Sequence, residues 1–205
     1  MYDSNEICPL CSSPETEEIY EDKHRHLEIV QCTRCRIVFQ KSVQSIERED
    51  FKGGDYKKEH ADHVRRVDRS FDIRVRIQTL VPNGNLLDVG CGMGQFLERM
   101  PSEFYDLWGV EPSPLAAEYA ANSPMITKVI NSVYRKELFP PEKFDVVTAI
   151  QVFEHIASPR DFLQSAYYHL RSNGILVIDI PSYRNPRIIL YRALGLRSIV
   201  KRDFI

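Results

Sequence analysis

Short apolar runs alternate with amphipathic stretches through the second half of the chain. The apolar runs predict five strands, at residues 86–90, 107–111, 127–130, 144–150 and 175–180. Apolar residues at helical spacing predict helices near 94–101, 114–122 and 158–171. Regular alternation of strands and helices requires right-handed crossovers, and hence a mostly parallel sheet that is covered on both faces. Residues 81–205 are therefore predicted to form a doubly wound, Rossmann-like α/β domain.

The beginning of the chain has a different pattern, in which short β-like runs accompany two cysteine pairs. The pairs read CPLC and CTRC and are separated by twenty residues. This spacing is typical of a closed tetrahedral zinc site, which stabilises a segment that is too short for its own core. Redox or disulfide use of the cysteines is the alternative. We expect residues 1–45 to form a zinc-ribbon-like module with structural Zn²⁺, and its ligands are Cys8, Cys11, Cys32 and Cys35.

Residues 46–80 are predicted to form a linker followed by a helix. The linker is polar and rich in turn residues, as in SVQSIERED and KGGDY. Helical spacing of apolar residues begins at Val64 and continues to Val75. His24 and His26, between the cysteine pairs, are expected to be exposed because four thiolates already complete a zinc shell.

The composition and net charge of the chain are those of an ordinary globular protein. The chain has 205 residues, 43% of them hydrophobic, and a formal net charge of −2. This charge gives no general attraction to nucleic acid or to an anionic membrane. The first ten residues, MYDSNEICPL, lack the pattern of a signal peptide, and no apolar run could span a bilayer. A cytoplasmic location is expected, and the oligomeric state is left open.

The stretch LLDVGCGMGQF carries most of the functional information. A predicted strand leads into Gly90, Gly92 and Gly94, where a ligand can approach the backbone closely. Asp88 precedes this turn, and Glu111 ends the next predicted strand, where a carboxylate can accept both hydroxyls of a ribose. This arrangement predicts a cofactor that contains adenosine. Gln95 departs from the dinucleotide fingerprint, and Asp88 would repel a pyrophosphate but attract an amino group.

With these motifs, the chain resembles the class I S-adenosylmethionine-dependent methyltransferases over about residues 80 to 182. LLDVGCGMG is similar to their first motif, GVEPS to their second-strand acid, and FDVVTAIQVFEHIASP to their fourth-strand segment. The resemblance implies that S-adenosylmethionine is the cofactor and that Asp88 influences its ammonium group. It implies these further cofactor contacts: Gly90, Cys91 and Gly92 at the methionine part, Glu111 and Pro112 at the ribose, Asn131 or Ser132 at the adenine, and Ile150 and Gln151 at the methionine end. Cys91 itself is interpreted as a small turn residue and not a nucleophile.

A Glu–His pair follows the fourth predicted strand, in IQVFEHIASP. If the acceptor is a hydroxyl or a carbon beside a carbonyl, methyl transfer needs a general base. His155 is the candidate base, and Glu154 could orient it or act itself. The alternative is a structural role at the end of the strand, or a place beside the cofactor. Tyr183 is a weaker candidate for a substrate contact.

The whole chain, cysteine module included, further resembles methyltransferases of sugar and glycan pathways. That resemblance implies a small-molecule acceptor, such as a nucleotide-linked sugar. An RNA methyltransferase with a zinc ribbon is the second hypothesis, although the segment ETEEIYED is acidic and argues against nucleic acid as a partner. An inactive cofactor-binding interaction module is the third hypothesis.

The end of the chain supports the third hypothesis. Only twenty-five residues follow Ile180, and they do not read as the two strands of the C-terminal hairpin that completes the family's sheet. We therefore expect the α/β domain to lack that hairpin. Residues 184–202 carry six basic and no acidic side chains, which are interpreted as a solvated helix surface, with a membrane or anionic substrate as the alternative.

Overall fold

The computed structural model describes residues 7–22, 27–41 and 72–180. These residues divide into two units, one with a three-stranded sheet and one with a five-stranded sheet. The predictions for His24, His26, the linker, Tyr183, the basic segment 184–202 and the missing hairpin fall outside the described residues. No helix within the described ranges is long and apolar enough to cross a membrane.

The first unit contains an antiparallel sheet whose middle strand carries its buried residues. The strands are β1 (Thr16–Asp22), β2 (Leu27–Cys32) and β3 (Val38–Gln40), in the order β1-β2-β3. Val30 and Cys32 on β2 are almost fully buried, at 1% and 0% exposure. A sheet of this size buries too little apolar surface to be stable by itself, so it needs another source of stability.

The second unit is a parallel sheet with helices. Its elements are α1 (72–80), β4 (Gly84–Val89), β5 (Tyr105–Glu111), α2 (Pro114–Ala121), β6 (Lys128–Asn131), β7 (Phe144–Ile150), α3 (Pro159–His169) and β8 (Leu170–Asp179). All pairings are parallel, in the order β6-β5-β4-β7-β8. This order confirms the predicted doubly wound, Rossmann-like class. The strand order reverses between β4 and β7, where such folds bind ligands outside the carboxyl ends of the strands.

The core of this unit lies around β4. Leu86 and Leu87 point to opposite faces of the sheet, and both are fully buried, as expected for a central parallel strand. On one face, Leu86 belongs to an apolar cluster with Ile77 of α1, Leu107 of β5 and Val146 of β7. The cluster therefore fixes α1 and three adjacent strands together.

The predicted helix at 94–101 is wrong. Residues 95–96 form a turn, and only Leu97–Arg99 is helical, as one turn of 3₁₀-helix. Pro101 accounts for the end of this short helix, since a proline disfavours the α conformation of the residue before it. Met100 accordingly is extended, with φ −76° and ψ 142°. The other two predicted helices are found, and none of their ends differs from the prediction by more than two residues.

Strand β8 begins earlier than predicted, directly after α3. Leu170 pairs with Phe144, but the next pair is Ile175 with Val146, so the residues between Leu170 and Ile175 form an irregularity. Asn173 within it has φ +66°, a conformation that asparagine tolerates better than most residues. The apolar run from 175 identified the buried part of the strand but not its irregular start.

A buried histidine ends α3 beside the amino end of β7. The side chain of His169 is fully buried, its Nδ1 lies 2.7 Å from the hydroxyl of Tyr134, and its Nε2 lies 3.0 Å from the carbonyl of Lys136. Because the carbonyl can only accept, Nε2 carries the proton and Nδ1 accepts from the tyrosine. Burial lowers the pKa of His169, against a smaller opposing effect of the Lys136 carbonyl. The same burial raises the pKa of Tyr134.

We predict that His169 makes the folded state less stable in acid. The pKa of His169 in the folded protein is lower than its unfolded value of 6.5, so the unfolded state binds the proton more readily. The stability that neutral His169 gives the folded state is therefore fully present above pH 6.5 and is lost as the pH falls below it. His169→Gln keeps a donor for the carbonyl and should flatten the dependence of the unfolding free energy on pH between 7.5 and 5. Urea denaturation across that range measures it. His155→Gln alters an exposed histidine and should keep the wild-type slope, and an unchanged slope in His169→Gln would contradict the prediction.

Candidate functional site

The glycine turn lies at the carboxyl end of β4. Gly90, Gly92 and Gly94 have φ of +69°, +54° and +86°, a region that side chains rarely adopt. The amides of Gly90 and Cys91 both donate to the carbonyl of Val110, at 2.7 and 3.2 Å, so the turn folds over the end of β5. The sequence therefore needs glycine here for its backbone conformation.

The three glycines differ in what a side chain would meet. A Cβ on Gly90 would lie 2.5 Å from Val152, and one on Gly94 would lie 2.7 Å from Ile126, so both positions are closed by packing. A Cβ on Gly92 would meet only the amide oxygen of Gln95, at 3.9 Å. The open side of the turn is therefore at Gly92.

The side chain of Glu111 joins this turn to the end of β5. Its two oxygens accept hydrogen bonds from the amide of Gly92, at 2.9 Å, and from the amide of Ser113, at 2.8 Å. The residue is only 6% exposed. Two hydrogen bonds from backbone amides to a carboxylate are stronger than neutral ones and hold the carboxylate in place.

A second acid, Asp88, is buried at the end of β4. It is 3% exposed, and the hydroxyl of Thr148 donates to its Oδ1 at 2.6 Å. Burial raises the pKa of Asp88 to about 7, the Thr148 hydrogen bond opposes this shift, and the charge of Glu111 adds to it. A cation placed here would favour the ionised form of Asp88.

Cys91 is a packing residue within the turn. It is 5% exposed, and its sulfur lies where a side chain on Gly109 would be, since a Cβ there would be 2.6 Å from Sγ. Burial raises the pKa of the Cys91 thiol, and the negative charges of Asp88 and Glu111 raise it further. The thiol is therefore a poor nucleophile, because nucleophilic attack requires the thiolate.

Residues after β6 meet the end of β5. Asn131 donates through Nδ2 to the carbonyls of Glu111 and Pro112, at 2.9 and 3.0 Å. The amide of Ser132 donates to the carbonyl of Glu111 at 3.2 Å, and its hydroxyl donates to the carbonyl of Val133. Glu111, Pro112, Asn131 and Ser132 are thus brought together, beside the turn that carries Gly92.

Residues at the end of β7 are held by β8. Ile150 packs against the apolar core cluster. Gln151 has φ +56°, and it makes two hydrogen bonds to Asp179, from its amide to the carbonyl and from Nε2 to Oδ2, each at 2.8 Å. Glu154 and His155 lie on the short 3₁₀-helix Phe153–His155 and are exposed.

Three polar residues near these strand ends were not predicted from the sequence. Thr148 is the one polar side chain in the apolar centre of FDVVTAI, a signal that could have identified it as a partner for Asp88. Asp179 ends an apolar run in the same way. In the sequence, Gln95 stands out only as a departure from the dinucleotide-binding fingerprint, yet its Nε2 is buried without a hydrogen-bond partner among the described residues.

A cavity of about 320 Å³ lies between α1 and β8. Most of its lining is apolar, from residues such as Ile73 and Val177. The charged residues of the lining are Asp72, Arg76 and Asp179, and Asp179 is also the partner of Gln151. In the part of the chain that the structure describes, the lining is therefore mostly apolar and has more negative than positive side chains.

In the first unit, the four cysteines converge. Their sulfur atoms all lie within 4.8 Å of one another, with Cys8 and Cys35 at 3.6 Å and Cys11 and Cys32 at 3.5 Å. All four are free thiols, so the disulfide alternative is not the arrangement found. Sulfur atoms around a tetrahedral zinc ion lie about 3.8 Å apart, given zinc–sulfur bonds of about 2.3 Å. A backbone hydrogen bond from Cys35 lowers the pKa of Cys32 to about 6, whereas burial raises the pKa of Cys8 and raises that of Cys35 to about 12.

The glycine turn has the chemistry that S-adenosylmethionine requires. Glu111 supplies a buried carboxylate for ribose hydroxyls, and Asp88 supplies a second one that a cation would ionise. Gly92 leaves open space, and the amide oxygen of Gln95 lies beside it. The residues present therefore fit this cofactor.

The chain matches the profile of the family described as methyltransferase domain over residues 59–199. It is similar to the mitochondrial ubiquinone biosynthesis O-methyltransferase of Schizosaccharomyces pombe, with 36% identity over 119 residues that cover 54% of this chain and 41% of the relative. The ubiquinone biosynthesis O-methyltransferase of Bradyrhizobium diazoefficiens is 30% identical, over 54% of this chain and 45% of the relative. The chain spans about half the length of the curated relatives it matches.

Solved structures share the fold. The plantazolicin methyltransferase BpumL, crystallised with a desmethylplantazolicin analogue and S-adenosylhomocysteine, is similar with a TM-score of 0.52 and 20% sequence identity. The alignment covers 65% of this chain and 56% of that one. At this identity the likeness concerns the fold alone, whereas the family profile covers more than half of the chain. The chain belongs to the methyltransferase domain family.

Proposed function

We propose that the protein transfers a methyl group from S-adenosylmethionine to a small-molecule acceptor. The observation that carries this proposal is the pair of buried carboxylates, Asp88 and Glu111, around the open side of a glycine turn. They lie beside the reversal of strand order, in a chain that belongs to a methyltransferase family. Two similar proteins are named as O-methyltransferases of ubiquinone biosynthesis, and this supports a small-molecule acceptor.

Each residue of the site has a proposed part in holding the cofactor. Glu111 accepts the ribose hydroxyls, and Asp88 attracts the ammonium group, which makes its ionised form more stable. The residues at the end of β6, Asn131 and Ser132, lie at the adenine, and Ile150 and Gln151 lie at the methionine end. The bound cofactor supplies an electrophilic methyl group, and the protein aligns the acceptor with it and excludes water.

We propose His155 as the general base, with Glu154 as its partner. Both are exposed and therefore open to a substrate in the described structure. Methyl transfer to a hydroxyl requires removal of a proton, and a histidine side chain that reaches the hydroxyl can accept it. A structural role at the end of β7 is the competing interpretation, and it predicts loss of stability rather than loss of turnover.

The cavity between α1 and β8 supports an acceptor with an apolar part. Among the described residues of its lining, Arg76 is the one cation, against Asp72 and Asp179. A nucleotide-linked sugar carries two phosphates and would meet net negative charge here, whereas an apolar hydroxylated molecule would not. We therefore propose O-methylation of an apolar hydroxylated acceptor, and keep a nucleotide-linked sugar as the second candidate, because the cysteine module resembles that of sugar methyltransferases.

The first unit argues against an RNA substrate. Glu17 and Glu18 on β1 are exposed, and the strand carries no Lys or Arg. A nucleic-acid surface needs a basic stripe, which this strand does not provide. We propose that the four cysteines hold a structural zinc ion, which would stabilise a sheet that has almost no core of its own.

We predict that the cofactor binds and that Glu111 is required for binding. Calorimetry with S-adenosylhomocysteine should show binding to the wild type and at least about 10-fold weaker binding to Glu111→Gln, because the two ribose hydrogen bonds lose a charged acceptor. Glu118→Gln changes an exposed acid on α2 and should bind like the wild type. Absence of binding to the wild type would refute the proposed function.

His155→Ala should retain cofactor affinity and lose most of its turnover, by about 100-fold or more, because the acceptor keeps its proton. Turnover is measured as methyl transfer to two panels, apolar catechols or phenols and nucleotide-linked sugars, with bulk RNA as a third substrate. His155→Gln keeps a polar side chain of similar size, so it tests whether the shape of residue 155 is sufficient for turnover. Retained turnover in His155→Ala, or loss only in parallel with stability, would favour the structural role. Methylation of RNA alone would refute the small-molecule proposal.

Zinc should be present at one ion per chain and should be needed for stability. A strong chelator should remove it and lower the melting temperature, because metal binding is coupled to folding of the cysteine unit. Cys32→Ser should reduce the zinc content, measured by atomic absorption. Cys91→Ser is the matched control and should keep the full zinc content, since Cys91 lies in the other unit. A melting curve that is the same with and without chelator would contradict the prediction.

A further inference from the structure

The first cysteine pair and the beginning of α3 meet in one contact. The guanidinium of Arg160 donates two hydrogen bonds to the carbonyl of Leu10, from Nε and from Nη2, each at 3.1 Å. Leu10 lies between the cysteines of CPLC, and Arg160 is the second residue of α3. The first unit includes residues 154–160 as well as the cysteine pairs, so this contact lies within that unit.

The helix alone does not explain an arginine at position 160. The N-terminus of a helix carries partial positive charge and favours acidic side chains, such as Asp161 in the same turn. A cation in that turn is unfavourable for the helix, so another group has to compensate for it. The Leu10 carbonyl is such a group, because it accepts two N–H groups of the planar guanidinium. The contact with Leu10 therefore accounts for Arg160 better than the helix does.

Leu10 is a firm anchor because hydrogen bonds close the backbone around it. The amide of Ser12 donates to the carbonyl of Cys8, and the amide of Cys8 donates to the carbonyl of Ser13, each at 2.9 Å. The Sγ of Cys8 accepts from the amide of Cys11 at 3.5 Å. The direction of the Leu10 carbonyl is therefore set by the turn of the first cysteine pair.

The anchored segment is the connection between β7 and α3, which carries Glu154 and His155. Both side chains are exposed. The start of the connection is fixed by the two hydrogen bonds of Gln151 to β8, and Arg160 is fixed at its end. A catalytic side chain has to be held within about 0.5 Å of its working position, and on a connecting segment this requires supporting contacts. The Arg160 contact supplies such support.

We propose that Arg160 is a positioning residue for methyl transfer, which ties the segment of Glu154 and His155 to the first cysteine pair. This inference rests on the proposed function, in which His155 removes the proton of the acceptor. Arg160 acts through His155, by keeping the base in one place, and not by touching the acceptor. The first unit then contributes to the reaction through the backbone carbonyl of Leu10, in addition to holding its own sheet.

NMR relaxation tests the anchor without any substrate. Arg160→Met keeps a long side chain and removes the donors, so the backbone order parameters of residues 154–158 should fall from about 0.85 to below about 0.6. The order parameters of β4 and β5 and the affinity for S-adenosylhomocysteine should stay unchanged. Arg160 is exposed, so its replacement should shift the melting temperature by less than about 2 °C. Arg135→Met changes an exposed arginine of the second unit and should match the wild type.

Turnover tests whether the anchor serves His155. The kcat of Arg160→Met should fall by about 10-fold, because a misplaced base takes the proton less efficiently. Arg160→Lys keeps a charged donor for the carbonyl and should recover most of the turnover. In the His155→Ala background, Arg160→Met should lower kcat by less than about 2-fold, because no base is left to position.

Three results would overturn the inference. Order parameters of residues 154–158 that are the same in Arg160→Met as in the wild type would mean that the contact does not hold the segment. An equal loss of kcat with and without His155 would mean that Arg160 supports the fold and not the base. Full turnover in His155→Ala, or a wild type that methylates no acceptor of the panels, would refute the proposed function and this inference with it. Those last results are distinguishable because they appear without any change at Arg160.

Discussion

The hydrogen bonds from Gly92 and Ser113 to Glu111 hold the glycine turn of β4 to the end of β5. A carboxylate that is 6% exposed would be unfavourable without partners, and these two amides offset the loss of water. They also fix the direction of the Gly92 amide, and thereby the open side of the turn. The ligand site therefore depends on an interaction between residues nineteen positions apart, which only the pairing of β4 with β5 makes possible.

The same constraint sets the electrostatics of the site. Holding Glu111 in place keeps a negative charge near Asp88, which is already difficult to ionise because it is buried. Thr148 on the neighbouring strand β7 compensates in part through its hydroxyl. Each of the strands β5, β4 and β7 thus contributes one polar side chain that affects the ionisation of Asp88. A cationic ligand would favour the ionised form.

The sequence predicted the sheet well because central parallel strands are buried on both faces and so read as continuous apolar runs. Strand β7 was found at the predicted residues, 144–150, for this reason. The helix predicted at 94–101 is wrong. Its prediction rests on the apolar pattern and gives no weight to Pro101, which restricts the conformation of Met100. The convergence of the four cysteines was predictable, since CxxC spacing alone brings two thiols to one side of a metal.

The details of the site were harder to predict because they depend on register between strands. Gln151 was expected toward the cofactor, and nothing local indicates that Asp179, twenty-eight residues later, accepts its hydrogen bonds. That contact follows from the pairing of Ile150 with Asp179 at the ends of β7 and β8. The sequence equally gives no sign that Nε2 of Gln95 is buried without a hydrogen-bond partner in the described part of the chain, because this is a property of the folded turn.

Buried polar groups at the two ends of the sheet differ in how well their hydrogen bonds and charges are satisfied. Beside the amino end of β7, His169 has a partner for each ring nitrogen, and the aromatic residues around it are packed edge to face. At the carboxyl ends, Asp88 is hard to ionise, Nε2 of Gln95 has no hydrogen-bond partner among the described residues, and Gln151 has a positive φ. These features each cost stability, and they occur together where parallel strands direct their carboxyl ends at a ligand. A protein selected for stability alone would have replaced them with apolar residues, as around Leu86. Their concentration at one edge is therefore better explained by a bound ligand than by the requirements of the fold.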